Sequence, residues 1–485
     1  MSISGSLSSA LSGLNVAARA AEVVSSNVAN AMTEGYGRRE LQTAVRMVGP
    51  NGQGVQSTGV NRFSDTVLVA DRRLAAAGSG GREATAGFLK RLETVLGTPD
   101  SATSLGSRVA DFDSALIEAA ARPESESRLN RVVESAKSLA VHLASVGADI
   151  QTARSQADDQ IEAQVGQVNT ALTRVHDLNI QIRANSGIAR DNSALLDQRQ
   201  QTIDSISKII PLREVPRENG QIALFSTGGA VLLDGPAAQL GFVYAGIVVA
   251  GMTVAAGGLS GLTLNGRAIS TAADGGAISG GSLAGQFAVR DDFAPLAQTR
   301  LDAVARDLVE RFADPALDLT RTPGAAGLFT DAGAAFLPAN EAGLAQRLQV
   351  NAAADTARGG ALWRIRDGLG ATLAGNAGNA TLLKGLQAAF NGPRSPVSGG
   401  FMTGARSFAT LTADMVTGIA TARVNADSEA SFASARLDTL HELELRGGVD
   451  TDQELQSLLQ IEQAYAANAK VISTVGDMIQ TLLGM

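Results

Sequence analysis

The string His441-Glu442-Leu443-Glu444-Leu445 begins like the zinc-protease pattern HExxH. Two histidines at i and i+4 bring two ring nitrogens onto one metal, and here Leu445 stands at the second ligand position, so the pattern fails as a zinc site. It reads as a solvated helix face. The other histidines, His142 and His176, lie far from it along the chain. The acidic pairs Asp158-Asp159 and Asp291-Asp292 fall in helix-like stretches and are read as facing solvent. Paired carboxylates hydrolyse glycosides only when they face one another across a cleft. The glycine pairs Gly275-Gly276 and Gly280-Gly281 lack the strand–GxGxxG–helix context of a dinucleotide site and read as turns. No phosphate-loop lysine motif and no GxSxG elbow occurs. The reading therefore assigns no catalytic, cofactor-binding or metal-binding residue, and expects a chain that is not an enzyme.

The elements around these residues point elsewhere. A length of 485 residues exceeds one hydrophobic core, so two to four substructures are expected. The formal charge is −8, without a concentrated basic stretch, which argues against nucleic acid as a partner. There is no cysteine, which excludes disulfides and thiolate chemistry. No apolar run approaches the length of a membrane span, so no membrane insertion is expected. The first residues show neither a basic n-region nor an apolar h-region, so export, if it occurs, is expected without a cleaved signal peptide.

Residues 3 to 28 carry a heptad pattern: Ile3, Leu7, Ala10, Leu14, Ala17, Ala21, Val24 and Val28 alternate steps of four and three. Near the other end, Leu455, Leu458, Glu462, Tyr465, Ala469, Ile472, Gly476, Ile479 and Leu483 do the same. From Met1 to Val28 only Arg19 and Glu22 are charged. A heptad seam flanked by small neutral residues suits a helix covered on several sides, since a free coiled coil carries charge at its flanks.

Further helices are predicted over Leu105–Arg122, stopped by Pro123, over Glu124 to about Asn185, and over Asn192–Ile210. Within the second, Ile161, Val165, Val168, Leu172, Val175, Asn179 and Ile182 keep the alternating spacing. Glycine then becomes dense from Asn219 to Arg290, with strands predicted at Ile222–Phe225, Val231–Leu233 and Phe242–Val254. Helix resumes from about Ala284 to Phe312, then over Ala380–Phe390 and Phe408–Arg446. The expected fold is mainly α with an inserted β domain. Its terminal heptad helices pair as a coiled coil, long helices form a rod domain, and a β-rich domain lies outermost. The expected division is 1–45 with 447–485 for the terminal helices, and 46–218 with 286–446 for the helical rod. Within the rod, 320–400 has no assigned role, and 219–285 is the Gly-rich insertion.

The first helix runs into Ser26-Asn27-Val28-Ala29-Asn30-Ala31-Met32-Thr33-Glu34-Gly35-Tyr36-Gly37-Arg38. Asn27, Ala29, Asn30, Thr33, Gly35, Tyr36 and Arg38 match a pattern that resembles the N-terminal signature of bacterial flagellar axial proteins, with Glu34 where that signature usually has proline. The stretch from Asp452 to Thr474 resembles the matching C-terminal signature. Three further runs resemble the flagellar hook-associated protein 1 family: Gly54-Val55 followed by Val60, Arg62, Asp65, Leu68 and Arg73; Leu195-Leu196-Asp197-Gln198-Arg199; and Gly280–Gly285 leading to Arg290-Asp291.

The resemblance implies a structural adapter between the distal end of the hook and the filament, exported by the flagellar type III apparatus and found outside the cell. It implies terminal helices packed into an inner tube, with Ile3, Leu7, Leu14, Val24, Val28, Leu455, Leu458, Tyr465, Ile472, Ile479 and Leu483 as subunit contacts. It also implies partners: further copies in a ring or helical layer, the hook protein, a second hook–filament junction protein, and a cytoplasmic export chaperone. A hook or distal rod protein, or a secreted coiled-coil binding module using residues 219–290, are the alternatives. The former would place mainly β structure where this sequence predicts helices from 105 to 210.

Overall fold

The computed structural model describes residues 3–48, 51–98, 100–186, 190–272 and 275–484. Helix α1 (Ile3–Ala29) leads through the signature loop into an antiparallel hairpin of β1 (Arg38–Val48) and β2 (Asn51–Phe63). The hairpin folds back along α1, where the amide of Val55 donates to Ser12 Oγ at 3.1 Å. Asp65 then caps α2 (Thr66–Leu96), its carboxylate accepting from the amides of Val67 and Leu68.

Ser104 caps α3 (Leu105–Ala121), which ends before Pro123, and α4 (Glu126–Ser186) follows. At 61 residues α4 is about 90 Å long and is the spine of the molecule. All seven of its predicted seam residues from Ile161 to Ile182 are buried. Helix α5 (Ser193–Ser207) returns antiparallel to it. Next come two small antiparallel sheets, β3 (Leu212–Pro216) with β4 (Ile222–Ser226) and β5 (Val231–Leu233), then β6 (Leu240–Gly241) with β7 (Leu262–Leu264) and β8 (Arg267–Ile269).

Helix α6 (Gly281–Ala288) continues through one wide turn into α7 (Ala294–Ala313). After it come β9 (Phe329–Asp331), α8 (Leu344–Arg347), β10 (Leu348–Val350), α9 (Arg364–Asp367) and α10 (Thr381–Asn391), all short. The chain closes with α11 (Phe408–Arg446), capped by Ser407, and α12 (Thr451–Leu483), capped by Asp450.

Two antiparallel helix pairs organise this order. In the first, Asn27 of α1 meets Glu454 of α12, and a Cβ on Gly13 would stand 2.7 Å from the Asn468 side chain. In the second, Arg72 of α2 binds Glu444 of α11, and Glu93 binds Arg423 at 3.0 Å. Both pairs end at one level, where the chain passes from α11 to α12 through Gly447-Gly448-Val449-Asp450.

The main core lies between α3, α4, α7, α10 and the start of α11. Phe112, Phe312, Phe329, Phe390 and Phe408 fill it, with Phe112 edge-on to Phe390 at a centroid distance of 5.1 Å. Phe329 and Phe390 come from the irregular residues 320–400, so that stretch covers the rod core. Arg311 pins it, donating to the carbonyls of Gly392 at 2.6 Å and Arg406 at 2.9 Å. A second core under the small sheets joins α4 and α5 to Leu224, Leu232, Leu262 and Phe287.

Two expectations need correction, and two elements were not predicted. Residues 46–48 and 51–63, at the start of the mainly helical unit, are strand. Phe242–Val254 is an irregular loop, because its amides and carbonyls bond to α4 side chains and not to a neighbouring strand. The 31-residue α2 contains Gly78, Gly80 and Gly81 inside the helix, since α6 crosses closely there: a Cβ on Gly285 would sit 2.8 Å from the Gly81 carbonyl.

Asp158, finally, does not face solvent. It and Arg290 are both 0 % exposed and bonded at 2.7 Å, while Arg290 also binds Asp291 at 2.8 Å. Arg290 further donates to the Ser260 carbonyl, and Asp158 accepts from the Ala245 amide at 2.7 Å. The group nails the loop and the β7 side of the insertion to the spine.

Asp302 of α7 accepts from the amides of Gly343 and Ala345 and from Gln298, yet burial pushes its carboxyl up to about 6, from an ordinary 3.8. A folded-state value above the unfolded one favours folding at low pH. The stability from this group is complete below about pH 4 and is lost as pH rises through 6, on the order of 3 kcal/mol. Urea unfolding between pH 4 and 7 should show this fall in the unmodified chain. The same titration of Asp302→Ala should lack it.

Candidate assembly site

The signature residues converge where the two helix pairs meet. Asn27, fully buried at the end of α1, donates through Nδ2 to the Arg39 carbonyl at 2.8 Å and to Glu454 Oε2 at 3.1 Å. Its Oδ1 accepts from Tyr36 Oη and from the Arg39 amide, each at 2.9 Å. Asn30 donates to the Ser26 carbonyl one turn back, tying off the helix at 2.9 Å, and Thr33 Oγ1 donates to Asn30 Oδ1 at 3.4 Å. Ala29 closes the helix. Gly35 adopts φ +76°, and a Cβ there would meet Gln201 at 2.7 Å, so the turn requires glycine. Arg38 Nε completes the set on Glu454 Oε1 at 2.7 Å. The Arg39 guanidinium stacks over Tyr36, 4.8 Å from the ring centre.

This knot is bolted to the rod by Asp197 of α5. Its carboxylate accepts from the Gly37 amide at 3.0 Å, Arg39 at 2.6 Å and Arg62 at 2.7 Å. Two residues on, Arg199 donates to Asn179 Oδ1 on the spine and to the Gly220 carbonyl. On the other side, Arg72 bridges Asp204 and Glu444, and Arg73 bridges Asp204 and Glu214. Sequence reasoning quoted Asp197 and Arg62 as family motif residues without their role. Glu454, a 1 % exposed carboxylate, lay inside the quoted C-terminal signature, likewise without a role.

The terminal pair differs from the predicted seam. On α1 the buried row is Ala10, Ala17 and Val24. Leu7 and Leu14 are half-buried, and Ile3 and Val28 lie exposed at the margin. On α12, Leu458 and Ile472 lie in the pair, but the other row runs one residue earlier, through Glu454, Ile461, Asn468 and Val475. Leu455 is 50 % exposed and Leu483 82 %, and Tyr465 and Ile479 are also exposed. Two apolar rows share one helix, and spacing alone cannot say which row the partner covers. Large apolar residues on both helices, including Leu11, Leu455, Leu459, Met478 and Leu482, are thereby left half exposed or more.

His441 sits on α11 with its Nε2 3.9 Å from Glu34, at the edge of a cleft of about 310 Å³ between the signature loop, α5 and the end of α11. Among the described residues no group of three or more His, Asp or Glu side chains could hold a metal ion, and no helix is long and apolar enough to cross a membrane.

Family models match the chain in three places: one described as the flagellar hook-associated protein FlgK helical domain over residues 89–325, one as the flagellar basal body rod FlgEFG protein C-terminal over 447–485, and one as the flagella basal body rod protein over 7–36. Paired terminal helices carrying the rod-type models at both ends, with a helical body between, are features that the chain shares with bacterial flagellar axial proteins. Flagellar hook-associated protein 1 of Bacillus subtilis (strain 168) is 27 % identical over 255 residues, covering 50 % of each chain. That of Escherichia coli (strain K12) is 25 % identical over 244 residues, 49 % of this chain and 44 % of that one. Over its helical body the chain is thus similar to the flagellar hook-associated protein 1 family, and its matches span about half the length of the curated relatives. The solved flagellar hook junction protein FlgK from Burkholderia pseudomallei aligns with a TM-score of 0.45 at 21 % identity, covering 54 % of this chain and 46 % of that one.

Proposed function

We propose that the chain is a structural adapter joining the distal end of the flagellar hook to the filament. The observation that carries this is the set of exposed large apolar side chains on the paired terminal helices. Burying them is worth roughly 1.5–3 kcal/mol per large side chain, and neighbouring copies packed around the pair would collect it. In this reading the contact residues are Ile3, Leu7, Leu14, Val24, Val28, Leu455, Leu458, Tyr465, Ile472, Ile479 and Leu483, with the buried row as the seam and the exposed row as the subunit face. The copies form a ring or helical layer outside the cell, with hook protein on one side and a second junction protein on the other. Export runs through the flagellar type III apparatus, with a cytoplasmic chaperone shielding α12. The unbroken helices of α3, α4 and α5 favour this reading over a hook or distal rod protein.

A strain lacking the chain should build hooks that bear no filament. Ile472→Asp forces a charge into the half-buried seam, where it loses water and finds no partner. Filament-bearing hooks in cells carrying that variant should fall by about tenfold or more, counted by electron microscopy, with Leu458→Asp behaving alike. Normal filaments in the deletion strain would end the adapter reading.

A further inference from the structure

We propose that Met32 of one copy seats in the collar cleft of the next copy, so that the signature loop itself is a head-to-tail joint between subunits. This rests on the reading that the chain self-associates side by side. The loop is two-sided. Ala31 and Thr33 line the cleft, whereas Met32 between them does not and is 85 % exposed. Every other large side chain of the loop is engaged: Asn30, Tyr36 and Arg38 in hydrogen bonds, and Glu34 near His441. Met32 alone has no intramolecular task among these, and it continues the apolar margin begun one turn earlier by Val28.

The cleft suits an uncharged, flexible guest. Most of its charged wall is engaged in ion pairs, Arg72 with Asp204 and Glu444 and Arg73 with Asp204, so it offers no free cation to a charged guest. Beside these groups and the polar Thr33, Gln201 and Ser205 lies apolar surface from Ala31, Leu445 and Val449, with the rings of Tyr36 and His441 next to it. A thioether fits this setting, since sulfur packs favourably against ring edges and the unbranched chain adapts to an irregular hole. At about 310 Å³ the cleft has room for one such side chain. A knob on one side of a loop and a hole on the other make a heterologous contact, which repeats in one direction and so builds rings or helical layers.

The chain has no cysteine, so thiol cross-links report only introduced positions. Met32→Cys and Ser205→Cys, the latter on an exposed residue lining the cleft, are produced together with the unmodified chain in motile cells. Isolated flagella are then treated with copper phenanthroline. A dimer should form when both variants are present and not with either alone. In parallel, Met32→Leu should keep filament-bearing hooks at the normal count, and Met32→Asp should lower it by about tenfold or more. Flagella that contain both cysteine variants but yield no mixed dimer overturn the joint and leave side-by-side assembly standing. So does a dimer formed by Met32→Cys alone, or a Met32→Asp strain with normal filaments. Absence of the chain from flagella overturns the joint and the assembly reading together.

Discussion

Arg290→Ala should lower the unfolding free energy by about 3–5 kcal/mol. The substitution leaves the Asp158 carboxylate in a place without solvent, holding one backbone amide, with its bonded cation gone and only Arg154 still acting on it from one turn back. It also releases the Ser260 carbonyl and the packing of the guanidinium on Phe242 and Phe287, whose ring centres lie 5.5 and 4.9 Å away. Urea unfolding of the purified chain measures the loss. The double variant Asp158→Leu/Arg290→Met provides the control, because removing both charges together restores most of the stability when the pair itself is the cause. A loss below about 1 kcal/mol in the single variant would mean that Asp158 finds water or a proton without cost.

Asp197→Ala should free the signature knot from the rod. The Gly37 amide loses its acceptor, and Arg39 and Arg62 are left side by side without the carboxylate between them. A buried charge cluster broken on one side costs about 3–5 kcal/mol locally. Amide exchange at residues 36–41 and 60–63 should accelerate by about a hundredfold or more, while the rod core around Phe112 keeps its protection. Adding Arg39→Ala should cost less on the Asp197→Ala background than alone, since the two share one interaction. Unchanged exchange at Gly37 would show that Asn27 and Glu454 hold the loop unaided.

Much of the architecture was legible because it rests on spacing and on proline. The alternating steps from Ile161 to Ile182 placed the inward face of α4 correctly, and Pro123 marked the break between α3 and α4. The signature residues Asn27, Tyr36 and Arg38 were found as a motif, and the structure gives them partners. What escaped did so for physical reasons. Helix α2 hides behind Gly78, Ser79, Gly80 and Gly81, each a poor helix former whose cost is offset by the close crossing of α6. Asp158 looked like a surface acid because its partner, Arg290, lies 132 positions away. Glu454 was legible as part of the C-terminal signature but not as a buried residue, because a buried charge in a seam carries no periodic signal of its own. These are long-range pairings, and neither propensity nor spacing encodes them.

The level at which α1/α12 gives way to α2/α11 has a mechanical meaning. Covalent continuity there consists of the signature loop with its hairpin on one side and the Gly447-Gly448-Val449-Asp450 link on the other. Neither is a helix, so neither resists twisting well. Torsional load between the two pairs is shared with lateral struts: Arg38 to Glu454, Arg39 and Arg62 to Asp197, and Arg72 to Glu444. Struts of this kind are electrostatic springs, stiff when dry and softened by salt where water reaches them. The chain is therefore two helix pairs coupled by a clutch, and the torsion it takes up before slipping is set by four arginines.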